Sequence, residues 1–116
     1  MLYDYHSKRS FLHVQDAIEA YMMAARNPES MVNEIFNVGA NNMNFSKLEI
    51  AEKISKHVKL DIIKSNLEDP DRRNFIINFD KLSALGFNPK HSIDSGIEEL
   101  VRLYSWYRVN NLFHLI

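Results

Sequence analysis

Apolar residues recur at three-to-four spacing in three stretches of this chain, and each stretch predicts an amphipathic helix. In the first, over residues 16–26, Val14, Ile18, Tyr21, Met22 and Ala25 make one stripe. Asp16 is placed to cap the free amides at its start, and Asn27-Pro28 closes it because proline disfavours a helical residue before it. The second has the clearest start. Ser46 and Glu49 stand at capping-box spacing, with Phe45 and Ile50 at the positions of a hydrophobic staple. Leu48, Ala51, Ile54 and Val58 supply its inward stripe, and Lys47, Glu52, Lys53 and Lys56 are expected to face out. Ser92 caps the third, whose stripe is Ile93, Ile97, Leu100, Val101 and Tyr104. A shorter helix over 80–85 is stopped by Gly86, a residue typical of the position just past a helix end.

Between the helices lie short extended segments. Residues 34–38 (Glu-Ile-Phe-Asn-Val) read as a strand ending at Gly39, and 60–64 as a second; 75–79 is a further extended run. Residues 10–14 alternate too briefly to be more than a short extended piece. The asparagine-rich run 40–44 reads as loop, because asparagine competes for backbone hydrogen bonds, and 66–74 as a polar loop. Residues 106–116 are unusually apolar for a chain end. The expected fold is mixed α/β, about four helices with short strands, in one unit over residues 1–116.

Composition narrows the function. Formal net charge is -1, with Lys and Arg scattered among acids, so the basic stripe of a nucleic-acid-binding surface is missing. There is no cysteine, which removes disulfide and thiol chemistry. The first ten residues carry Tyr3, Asp4, Tyr5 and His6 without the apolar run of a signal peptide, and nothing approaches the ~18 apolar residues of a membrane span. A cytoplasmic protein is expected. His6, His13, His57, His91 and His114 never fall at metal-ligand spacing with a carboxylate partner, so no metal site is expected. His13 and Asp16 suggest an acid–base pair, but Asp16 is better explained as a helix cap. Tyr21, Met22 and Met23 read as core.

Several segments, taken in order, resemble the C-terminal portion of the extended short-chain dehydrogenase/reductases, the NAD-dependent nucleotide-sugar epimerases and dehydratases. Arg9-Ser10-Phe11-Leu12-His13-Val14-Gln15-Asp16 resembles R-x-[FY]-[IL]-H-V-x-D, and Ile35-Phe36-Asn37-Val38-Gly39 resembles [VIY]-[FY]-N-[VL]-G. Residues 45–54 are similar to the S-x-x-E-[IL]-A helix that follows, and Asp69-Pro70-Asp71-Arg72-Arg73-Asn74-Phe75 to a D-P-x-x-R-x-[YF] segment. Asn78-Phe79-Asp80-Lys81-Leu82, Leu85-Gly86-Phe87-Asn88-Pro89 and Ser92-Ile93-Asp94-Ser95-Gly96-Ile97 look like the closing series D-x-S-K, L-G-[WF]-x-P and [ST]-[LI]-x-x-G-[IL].

The resemblance implies the substrate-binding part of such an enzyme, with the Rossmann half missing. Gly39, Gly86 and Gly96 are the only glycines, and none forms the glycine-rich turn that brings a dinucleotide pyrophosphate to a helix start. The family's catalytic Tyr-x-x-x-Lys is absent too: Tyr3, Tyr5, Tyr21, Tyr104 and Tyr107 have no lysine four residues on. Hence no catalytic residue, no cofactor bound by this segment alone, and NAD only in the complete enzyme.

By the same resemblance Arg9 is a clamp on the substrate diphosphate, a task suited to a planar, permanently charged fork; the competing reading pairs it with Asp4 or Asp16. Arg72 or Arg73 reaches the phosphates as well, and the local pattern leaves open which. His13 stands where the family keeps a structural histidine. Asn37 and Gly39 close a strand at the carboxyl edge of the sheet, where ligands bind in open α/β folds. The strand 34–38 would pair inside a parallel sheet built mainly by the absent half. Association with a second copy or with a separate Rossmann half is therefore expected. The rival expectation is a non-catalytic interaction or oligomerisation module derived from the family.

Overall fold

Side chains that close on their own first turn start the three longer helices. In this computed structural model, which describes residues 1–67 and 73–107, the order is β1 (Lys8–Ser10), α1 (Val14–Arg26), α2 (Pro28–Met31), a 3₁₀ turn (Asn41–Met43), β2 (Asn44–Ser46), α3 (Lys47–Ser55), α4 (Asp80–Ser83) and α5 (Ile93–Trp106). At α3 the Glu49 amide donates to Ser46 Oγ at 3.1 Å and the Ser46 amide to Glu49 Oε2 at 2.6 Å, the reciprocal capping box expected. Ser92 and Ser95 make the same closure at α5. Both bonds to Ser46, from its amide and its hydroxyl, hold the Glu49 carboxyl below the usual carboxylate range.

The start of α1 departs from expectation. Its cap is His13, whose Nδ1 accepts the Gln15 amide at 3.2 Å. Asp16 is instead 2% exposed and turned away from the helix end. Its carboxylate accepts the Lys90 amide (2.9 Å), the His91 amide (3.0 Å) and His91 Nδ1 (3.0 Å). A buried carboxylate persists when its lone pairs are filled by fixed donors, and here those donors lie just before α5. Asp16 therefore ties α1 to a segment more than seventy residues away.

The α1 stripe is a second correction. Val14, Ile18, Tyr21, Met22 and Ala25 are exposed, Tyr21 at 79%. The side that packs inward carries Asp16 and Ala20, flanked by Ala17, Met23 and Ala24. Ala20 joins Leu82 and Phe87 in the core, with Met23, Met31 and Phe36 against it. α1 is apolar on two faces, and this chain covers the one with small side chains. Tyr21 and Met22 are thus not core. Along α5 Ile97 is buried and Ile93 and Val101 half-buried, while Leu100 and Tyr104 stay exposed. α3 has no fully buried residue. Lys53, expected to face out, bridges from α3 to α5 through Asp94 at 2.7 Å.

The sheet also differs. Among the described residues the ladder is β1 against β2, antiparallel, with Lys8 opposite Ser46, Arg9 opposite Phe45 and Ser10 opposite Asn44. Thus β2 takes only Asn44 from the asparagine run read as loop; the rest of that run is irregular or the 3₁₀ turn. Residues 34–38 and 75–79 form no ladder, and 60–64 contributes one parallel bridge, Leu2 to Lys64. Asparagine side chains replace the missing strand partner of 75–79. Asn44 accepts the Ile77 amide and donates to the Ile77 carbonyl, both at 3.0 Å, and Asn41 Oδ1 accepts the Phe79 amide at 2.9 Å. A carboxamide carries the same donor and acceptor as a peptide group, so it can stand in for one. The expected stretch 108–116 lies outside the described residues. No helix among those described is long and apolar enough to cross a membrane.

Replacing Asp16 by Asn puts an NH2 against fixed N–H donors and is expected to cost about 2 kcal/mol in urea unfolding at pH 7. Burial alone would raise the Asp16 carboxyl, but the Lys90 amide, the His91 ring and the His91 amide outweigh it and hold the group below its ordinary value. Its stabilisation is therefore present above the unfolded value of about 3.9 and lost as pH falls through the lower folded value. The gap between wild type and Asp16→Asn should narrow below about pH 4.

Candidate functional site

Arg9 sits in the middle of β1, so its backbone direction is set by pairing with Phe45. The side chain is half-buried; Nη1 donates to the Lys8 carbonyl at 2.8 Å, and the guanidinium lies 5.4 Å above the Phe75 ring. The next amide, Lys8 N–H, donates to Asn74 Oδ1 at 3.0 Å. These contacts fasten Asn74 and Phe75 to β1, and Arg73 directly precedes Asn74. Arg73 is exposed and has partners of its own. Arg72 lies outside the described residues.

Neither carboxylate expected to compete for Arg9 reaches it. Asp4 accepts from the Ser7 hydroxyl and Asp16 from His91. The guanidinium is a planar, permanently charged fork, held here over the Phe75 ring with Nη1 on the Lys8 carbonyl. Phe75 closes the aromatic motif named above, but its part as a platform was missed; an aromatic two residues after Arg73 was the available signal.

Asn37 and Gly39 stand at the other end of the same run. Asn37 Nδ2 donates to the Asn78 carbonyl at 3.2 Å. Gly39 is buried with φ +156°, and a Cβ there would come within 2.7 Å of the Phe79 ring. From Phe75 to Phe79 an extended chain spans at most about 13 Å, so Arg9 and Gly39 bracket one segment. Asp80, at the end of that segment, takes hydrogen bonds from Asn78 and Asn41, which hold its carboxyl below the ordinary range. Lys81 donates to Glu34 Oε2 at 2.7 Å and to the Ile35 carbonyl at 2.9 Å, and lies 4.6 Å over the Phe36 ring. The 34–38 segment is thus held by side chains while its own amides join no ladder.

The three glycines form no cradle for a dinucleotide pyrophosphate. Gly39 is closed off by Phe79, Gly86 follows α4 with φ +95°, and Gly96 lies inside α5. None opens a helix start to a pyrophosphate. No group of three or more metal-ligating side chains occurs among the described residues.

Residues 1–39 match the sequence family described as "NAD dependent epimerase/dehydratase family". The chain is 28% identical over 102 residues to the CDP-paratose 2-epimerase of Salmonella typhi, covering 84% of this chain and 29% of that protein. It is also 28% identical over 116 residues to the dTDP-D-glucose 4,6-dehydratase of Mus musculus, covering 92% of this chain and 30% of that one. Among solved structures, dTDP-glucose 4,6-dehydratase from Bacillus anthracis in complex with NAD superposes with TM-score 0.71 at 28% identity, over 90% of this chain and 33% of that one. UDP-glucose 4-epimerase from Thermotoga maritima with UDP-glucose shares the fold, with TM-score 0.64 at 22% identity over 88% of this chain and 33% of that chain. The chain spans about a third of the length of these relatives. What it matches is the C-terminal part of their fold.

Gly39→Ala is expected to destabilise the chain by about 1–3 kcal/mol, because the buried Phe79 ring has no room to withdraw. Gly86→Ala, with nothing within 4 Å of the new Cβ, should cost about 1 kcal/mol through backbone strain alone. Urea unfolding of both variants checks the order.

Proposed function

We propose that this chain, a member of the NAD-dependent epimerase/dehydratase family, supplies the nucleotide-sugar-binding part of such an enzyme and does no hydride chemistry alone. Residues 1–116 act as one C-terminal substrate-binding unit. The observation that carries this reading is Arg9, fixed on β1, held over the Phe75 ring and clear of Asp4 and Asp16. Arg9 grips the substrate diphosphate, with Arg73 or Arg72 as a second cation. Asn37 and Gly39 serve the site by fastening the 75–79 segment that presents Phe75.

NAD belongs to the complete enzyme in this reading, and the hydride passes in a part that carries the Tyr-x-x-x-Lys pair this sequence lacks. The uncovered face of α1 (Val14, Ile18, Tyr21 and Met22) supports docking on a separate Rossmann half or on a second copy. So does Ile35, 88% exposed on a segment without a ladder. Covering such apolar surface stabilises by about 25 cal/mol per Å².

Calorimetric titration with uridine, cytidine, guanosine and thymidine diphosphates, with NAD as comparison, tests the site. A nucleoside diphosphate should bind and NAD should not. Arg9→Ala should weaken that binding about ten- to a hundredfold, the worth of one or two hydrogen bonds to a charged group. Equal affinity of wild type and Arg9→Ala would overturn the assignment. Light scattering tests the docking face: the chain should associate at high concentration, and a clean monomer there, unchanged by Ile18→Glu, would overturn it.

A further inference from the structure

At the meeting of α1 and α5 two imidazoles lie face to face. The His13 and His91 ring centroids are 4.2 Å apart with planes 17° from parallel. Each ring is also held at its edge. His13 Nδ1 accepts the Gln15 amide and its Nε2 meets Glu99 Oε2 at 3.0 Å, while His91 Nδ1 meets the buried Asp16 at 3.0 Å. On the other flank of His13, Gly96 of α5 approaches close enough that a Cβ there would lie 3.7 Å from its Cδ2. These bonds are made together when His13 carries its hydrogen on Nε2 and His91 carries one on Nδ1.

We propose that His13 and His91 form a proton-sensitive latch between the starts of α1 and α5, closed while His13 is neutral and released when it is protonated. This does not depend on the nucleotide-binding reading. A proton on His13 can go only to Nδ1, which then ceases to accept the Gln15 amide, so α1 loses its cap. The new cation would sit at the positive end of the α1 dipole and flat against His91, itself just before the start of α5.

The charged neighbours do not cancel this. On α1, Asp16 is committed to His91 and the adjacent backbone, and Glu19 lines a shallow groove with Asp16, Lys90 and His91. On α5, Asp94 pairs with Lys53 of α3, and Glu99, the one carboxylate on His13, has a side chain 55% exposed, where an ion pair contributes little. Imidazole takes up a proton at an ordinary value near 6.5. A proton added at His13 Nδ1 breaks the bond from the Gln15 amide, so the latch weakens as pH drops through that range.

Release has a defined consequence. His13, Ser92, Gly96 and Glu99 form the polar border of an otherwise apolar cavity of about 420 Å³ that reaches Met43 and Ile54. Opening the latch bares that lining. It also frees the chain four residues after Arg9.

Thermal melting of the full chain at pH 7.5 and pH 5.0 tests the latch, beside His13→Asn, which keeps a capping oxygen that does not ionise. The wild-type melting temperature should fall by about 4–8 °C on acidification and binding of an apolar dye should rise, while His13→Asn keeps most of its pH 7.5 value. His6, His57 and His114 are retained in that variant, so an equal fall in both proteins overturns the latch, as does no fall in wild type. Nitrogen NMR of the wild-type imidazoles at pH 7.5 gives an answer even if the variant fails to fold. An unprotonated His13 Nδ1 with a protonated His91 Nδ1 is expected, and a protonated His13 Nδ1 overturns it.

Discussion

The buried carboxylate of Asp16 is the constraint on which the rest of this chain's order depends. Its hydrogen bonds to the Lys90 amide, the His91 amide and the His91 ring join α1 to the entry of α5. An ionised group with so little exposure is tolerated because its oxygens meet fixed donors. Once α1 and residues 90–91 are joined, Ala20 falls against Leu82 and Phe87, and the core has a floor. His13 caps α1 from one side of the join and stacks on His91 from the other. Cap, stack and buried carboxylate form one connected cluster, so a change of charge in one is felt by the others.

A second theme is the use of asparagine where a sheet would use backbone. Asn41 and Asn44 bind the amides of Phe79 and Ile77, and Asn37 binds the Asn78 carbonyl. The run 75–79 is thereby held extended without a ladder of its own. Its two ends serve different tasks. Phe79 closes over Gly39 in the interior, while Phe75 lies under the Arg9 guanidinium. A buried anchor and the aromatic ring under Arg9 thus share one short segment.

The uncovered surface fits a chain that spans about a third of its relatives. α1 turns small residues inward and large apolar residues outward, and 34–38 offers backbone with no ladder. Both features sit on the same part of the chain as the family match over residues 1–39.

Local chemistry by itself settled the starts of α3 and α5 and the stop after α4. Ser46 with Glu49, Ser92 with its following apolar stripe, and Gly86 after α4 act within a turn or two of chain, so their outcome is written in neighbouring residues. The ordered motifs from Arg9 to Ile97 likewise carried the family resemblance. What only the tertiary structure decided were choices between partners far apart in sequence. Asp16 had a suitable place as a cap, yet its oxygens found stronger donors at residues 90 and 91, leaving the cap to His13. The α1 stripe was correctly periodic, but periodicity reports that a face is apolar and says nothing of whether a covering surface is present. Asparagine read as loop because its side chain competes with backbone, and that same competition fastened the 75–79 segment beside β2. Spacing along a chain determines what each residue can bond; which bond forms depends on what the fold brings within about 3 Å.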